Sequence, residues 1–131
     1  MAKLSPAGDI LWSTYFGTGE LVRDIAIDAA GDIYVPLVLA PASSRTAFTT
    51  PALSAFQGKI LNSPPTTNTG DTGVAKLRGD GTGVVWARWL GGSGVEQTNP
   101  SIRVDAAGQA HLLISTTSTS GSLPAVGTGV Q

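Results

Sequence analysis

The chain contains no cysteine, which excludes disulfide staples, thiolate nucleophiles and cysteine-ligated zinc. Histidine is nearly as scarce. The single His111 has no second histidine or nucleophilic serine elbow beside it, so histidine-based catalysis lacks its partners. Charge is thin too: eight lysines and arginines stand against nine acids in 131 residues, with no basic stripe for phosphate backbones or anionic lipid. Nucleic-acid and membrane-surface partners are not expected. No apolar run approaches the ~18 residues of a membrane span, and Met1-Ala2-Lys3 leads straight into a strand-like pattern instead of a signal peptide's apolar stretch. What the sequence does have is an internal repeat punctuated by turn residues.

Ala2-Lys3-Leu4 recurs as Ala75-Lys76-Leu77, and each copy enters a turn, Ser5-Pro6-Ala7-Gly8-Asp9 or Arg78-Gly79-Asp80-Gly81-Thr82. After the turn, Leu11-Trp12-Ser13-Thr14-Tyr15-Phe16-Gly17 aligns with Val85-Trp86-Ala87-Arg88-Trp89-Leu90-Gly91. Ile25-Ala26-Ile27-Asp28-Ala29-Ala30-Gly31 then matches Ile102-Arg103-Val104-Asp105-Ala106-Ala107-Gly108. Each copy closes on a Pro-Ala segment ending in glutamine, at Gln57 and Gln131. Repeat one therefore covers about 2–57, an insertion 58–73, and repeat two about 74–131.

Between the turns the apolar period is two, as in Ile33, Val35, Leu37 and Leu39, so the segments read as strands with a buried face. In Asp-Ala-Ala-Gly the aspartate bonds the backbone two residues on and glycine supplies positive φ, which makes a tight hairpin connection. No window carries a helical stripe, and the chain reads as all-β. Its hairpins fall at about 2–16, 22–40, 74–90 and 101–117, in the order c–d, a–b, c–d, a–b. Repeated four-stranded antiparallel sheets are the pattern of β-propeller blades. The Ala-Lys-Leu-x-Pro-Ala-Gly turn, the Trp-Ser-Thr-Tyr-Phe-Gly strand end, Ile-Ala-Ile-Asp-Ala-Ala-Gly-Asp-Ile-Tyr-Val and the Thr-Thr-Pro to Phe-Gln segment resemble the bacterial β-propeller repeats known as SBBP repeats. The second copy departs from that pattern at Arg78-Gly79-Asp80-Gly81 and His111-Leu112-Leu113. The resemblance implies an extracellular or cell-envelope setting, and brings no catalytic motif and no cofactor.

About two blades per chain, permuted by half a blade, fall short of a ring of roughly four to eight. Each terminal half-blade presents an unpaired edge. The expected partners are therefore further blades, either copies of the chain joined head to tail or more of a longer propeller. Pairing is expected between the a–b hairpin carrying Ile102, Val104, Leu112 and Ile114 and a neighbour's c–d hairpin carrying Leu4, Leu11 and Trp12.

Candidate ligand chemistry is sparse. Trp12, Tyr15, Trp86 and Trp89 could stack on sugars, giving a lectin-like alternative, although their recurrence in one strand suits packing between blades. A propeller hydrolase or lyase would need clustered acids, and nothing in the spacing pairs Glu20, Asp24, Asp71 and Glu96. Asp28 and Asp105 recur as turn residues outside any calcium-loop motif, so no metal is expected. His111 takes the strand position of Tyr34. Arg78-Gly79-Asp80 spells an adhesion tripeptide but replaces a plain turn, and Gly91-Gly92-Ser93-Gly94 lacks the lysine and helix of a phosphate loop. The long connection 41–73, rich in proline, serine and threonine, makes its end of the sheet the place for any carbohydrate or protein ligand.

Overall fold

A computed structural model describes residues 1–14, 21–38, 59–60, 72–91, 94–96 and 99–118. These residues are all-β, with no helix among them. The strands are β1 (Ala2–Leu4), β2 (Ile10–Ser13), β3 (Leu21–Val22), β4 (Ala26–Ile27), β5 (Ile33–Val38), β6 (Lys59–Ile60), β7 (Thr72–Leu77), β8 (Val84–Leu90), β9 (Ser101–Val104) and β10 (Ala110–Leu113).

The main sheet is an antiparallel meander. Strands β3 and β4 pair successively with one edge of β5, which pairs with β7, which pairs with β8. The short β6 adds to the far edge of β8 in parallel. It lies inside the stretch the sequence presents as connection only, and two residues are too few to carry a period-two signal. Two separate hairpins, β1–β2 and β9–β10, complete the description.

Four turns of one design join the hairpin strands. The amide of each glycine, Gly8, Gly31, Gly81 and Gly108, donates to the carbonyl three residues earlier, from Ser5, Asp28, Arg78 and Asp105. All four glycines have positive φ, between 78° and 92°, a region that costs other residues strain. In the a–b turns one carboxylate oxygen also holds the loop: Asp28 Oδ1 accepts from the amides of Ala30 and Asp32, and Asp105 Oδ1 from those of Ala107 and Gln109. The repeat seen in the sequence is thus a repeat of hydrogen bonding.

Alternation in β5 gives two buried faces instead of one, since every residue from Ile33 to Val38 is buried. Ile33, Val35 and Leu37 pack with Ala75, Leu77, Val84 and Ala87 beneath Trp12 of hairpin β1–β2. Tyr34 and Val74 pack with Ile102, flanked by Val104 and Leu112 of hairpin β9–β10. The central sheet is therefore sandwiched between two hairpins. The side chains of Ile102, Val104, Leu112 and Trp12 face the central sheet of their own chain, and among the described residues each hairpin keeps an open edge and outer face.

Candidate functional site

The contacts between adjacent sheets follow one scheme, complete on one side of the central sheet and half complete on the other. On the complete side, Tyr34, Lys76 and Trp86 form a cross-strand row on β5, β7 and β8. Tyr34 and Trp86 meet edge to face at 5.9 Å, and Lys76 Nζ stands 5.0 Å from the Tyr34 ring centre. The ammonium reaches Asp28 Oδ2 at 2.9 Å and Asp32 Oδ2 at 3.1 Å, with the Asp28 side chain only 8% exposed. Contact with Tyr34, then with the two carboxylates, holds the Lys76 ammonium above the ordinary lysine range despite desolvation, and the Lys76 hydrogen bond lowers Asp28. The Tyr34 hydroxyl donates onward to the Gly108 carbonyl at 3.0 Å, tying the row to the turn of hairpin β9–β10.

Asp24 fastens the same hairpin by a second route. Its Oδ2 accepts from the Ile102 amide, the Ser101 hydroxyl and Arg103 Nη1, each at 3.0 Å. The Ile102 amide is the largest cause of a carboxyl held far below its usual range, followed by the Ile25 amide and Ser101.

On the other side of the central sheet, hairpin β1–β2 supplies only half of this scheme. Trp12, the equivalent of Trp86, donates from Nε1 to the Gly79 carbonyl at 3.2 Å and lies over Gly81, where a Cβ would come within 2.6 Å of its ring. Lys3, the equivalent of Lys76, reaches the same carbonyl at 3.3 Å. No tyrosine or aspartate from an adjoining strand meets Lys3 among the described residues. Their equivalents, His111 and Asp105, lie on hairpin β9–β10 across the central sheet, paired with each other at 3.1 Å. That contact lowers the Asp105 carboxyl, with His111 as the first cause.

The exposed apolar residues fall along the same division. Ile102 is wholly buried, whereas its repeat-one equivalent Ile25 is 49% exposed and Ile27 62% exposed. With Met1, Val22, Arg23, Asp24 and Val35, Ile25 lines an apolar groove of about 370 Å³. Leu4 and Ile10 are exposed although their equivalents Leu77 and Val84 are core residues. Leu113 is exposed while its equivalent Pro36 is buried. Alternation in the sequence gives Ile25 and Ile27 a buried face, and in the chain nothing described covers it.

The other candidates are placed as follows. Trp12 and Trp86 are half-buried between sheets, Tyr15 lies outside the described residues, and of Trp89 only the backbone, in β8, is described. Glu96 is buried and accepts from Thr116 and Ser118 hydroxyls, while Glu20 and Asp71 lie outside the described residues. Asp80 closes its turn by accepting from the Thr82 amide and hydroxyl. A Cβ at Gly79 would fall on the Gly31 carbonyl, so glycine of the adhesion-like tripeptide answers to packing. Gly94 is held by Ser118 Oγ at 2.9 Å; Gly92 and Ser93 lie outside the described residues, as does most of 41–73. Among the described residues no three potential metal ligands converge.

The residues that sequence reasoning left out of any site are Lys3 and Lys76. Their recurrence in Ala-Lys-Leu was visible, but only the β5–β7 register places Lys76 opposite Tyr34 and within reach of Asp28. Compared with known proteins, the chain matches no family model and no curated protein.

Proposed function

We infer that the chain is a non-catalytic β-propeller segment, a structural or binding module in which the central meander is one whole blade and the two hairpins are halves of further blades. The reading is supported by one observation above others. The face carrying Ile102 is buried against the preceding sheet, and the same face in repeat one, carrying Ile25 and Ile27, is open. A unit whose repeat-one face is open and whose repeat-two face is filled is suited to stacking on a unit of the same kind. Such a contact is head to tail, and it closes a ring when the rotation per blade allows. Three copies would give about six blades and four about eight.

The test is the solution mass of the 131-residue chain by light scattering, with circular dichroism to establish that it is folded. A closed oligomer of three or four chains is expected. A well-folded monomer at tens of micromolar would overturn the self-association reading.

A further inference from the structure

Self-association alone does not say how the halves meet. The following inference rests on the propeller reading and specifies the joint. We propose that β10 of one copy pairs antiparallel with β1 of a second copy, setting His111 opposite the partner's Lys3, so that Asp105 and His111 clasp that lysine and complete the split blade.

The register comes from the whole blade, where β5 and β7 pair Ile33 with Leu77, Tyr34 with Lys76 and Val35 with Ala75. The hairpins β4–β5 and β9–β10 share their own register, Ala26 opposite Tyr34 and Arg103 opposite His111. The β1–β2 and β7–β8 hairpins share theirs, with Lys3 opposite Trp12, Lys76 opposite Trp86, and an irregularity directly after each lysine. Transferring the whole-blade pairing sets Ala110 opposite Leu4, His111 opposite Lys3 and Leu112 opposite Ala2. A shift of one residue would turn Leu112 and Lys3 to the wrong faces.

Charge and shape agree with this register. Lys76 is held by a carboxylate that also meets Tyr34, at 2.9 and 3.3 Å. Asp105 and His111 form the matching acceptor, with the aspartate side chain 38% exposed and facing no lysine among the described residues. The cleft beside Lys3 is lined by Ala30, Gly31, Asp32, Arg78, Gly79 and Asp80. Its counterpart beside Lys76 is lined by Ala106, Ala107 and Gly108 together with Asp28 and Tyr34. The Lys3 cleft thus has the equivalent Ala-Gly turn wall and lacks the Asp-Tyr wall that a second copy's Asp105 and His111 would supply. The docked hairpin would also lie over the groove at Ile25 and Val22, as the central sheet lies over Ile102. One difference follows from the sequence: Gln109 stands where the whole blade has Asp32, so the joint between copies has one carboxylate where the blade within a chain has two.

The absence of cysteine makes the register directly testable. In one chain, positions 3 and 111 lie on opposite sides of the central sheet, so in a Lys3→Cys, His111→Cys variant a disulfide between these positions must join two copies. Mild oxidation is expected to give a covalent ladder ending at the mass of the wild-type oligomer. Lys3→Cys with Leu113→Cys, a diagonal pair, is expected to cross-link at least several-fold more slowly. Separately, Lys3→Glu is expected to weaken association by about tenfold or more, since it places two carboxylates together. If wild type is oligomeric but the diagonal pair links as fast, or Lys3→Glu assembles normally, the register or the clasp is wrong and the propeller reading stands. A folded wild-type monomer removes both.

Discussion

Equivalent residues in unequal surroundings give the sharpest tests at the scale of single side chains. Ile102 is wholly buried and Ile25 half-exposed, although they hold the same place in the repeat. Ile102→Ala is expected to destabilise the folded chain by about 2–5 kcal/mol, the usual cost of a buried isoleucine truncated to alanine. Ile25→Ala should leave the chain's own melting temperature nearly unchanged and, under the proposed self-association, lower the affinity between copies, as read by light scattering across a dilution series. Asp24 provides a pH test. Its carboxyl is depressed by the Ile102 amide first, then by the Ile25 amide and Ser101. A depressed folded pKa means that its stabilisation is fully present above the ordinary carboxylate pKa of about 4 and is lost as pH falls below that value. Asp28 and Asp105 act in the same direction. Thermal unfolding between pH 7 and pH 3 should therefore show a falling midpoint below about pH 4, with a shallower fall in Asp24→Asn.

At the scale of elements, the hairpins were legible because their turns carry chemistry in the sequence itself. Asp-Ala-Ala-Gly and Ser-Pro-Ala-Gly name both the acceptor that holds the loop and the glycine that takes positive φ, and both turn types form as read. Burial was less legible. Period two identifies a strand's two faces but does not say whether a neighbour covers one or both, and β5 proves to be covered twice while β4 leaves Ile27 open. The lysine clasp was invisible for a related reason, since Asp28 and Lys76 are distant in sequence and meet only through the β5–β7 register. The turns also permit a paired experiment. Gly81 and Gly8 both have positive φ, but a Cβ at Gly81 would strike the Trp12 ring, whereas at Gly8 nothing lies within 4 Å. Gly8→Ala is expected to cost only the backbone strain, about 1–2 kcal/mol. Gly81→Ala should cost clearly more in chemical denaturation, because it also pushes Trp12 away from the Gly79 carbonyl. If the two variants unfold alike, Trp12 does not hold hairpin β1–β2 to the central sheet.

For the molecule as a whole, the contacts within a chain and the proposed contacts between chains are built from the same parts but not with the same strength. Inside the chain, two carboxylates on Lys76 tie the β4–β5 turn to β7, and the Asp24 staple and the Tyr34 bond to Gly108 fasten β9–β10 to the central sheet. At the joint between copies the corresponding residues are Ser101 in place of Asp24, Gln109 in place of Asp32 and His111 in place of Tyr34. Every one of these replacements removes a carboxylate or a phenol from the scheme. The joint between copies should therefore open before the chain unfolds, so that dilution or added denaturant first yields monomers that retain the central sheet. Restoring the missing groups gives the strongest form of the test. In the proposed register Gln109→Asp would add the second carboxylate opposite the partner's Lys3, and His111→Tyr would restore the phenol that in the central sheet reaches the Gly108 carbonyl. The double variant is expected to shift the dilution midpoint of the oligomer to at least tenfold lower concentration, while Lys3→Glu in the same background cancels the gain. A double variant that raises thermal stability but leaves the dilution midpoint where it was would place these residues in the chain's own fold and not at the joint.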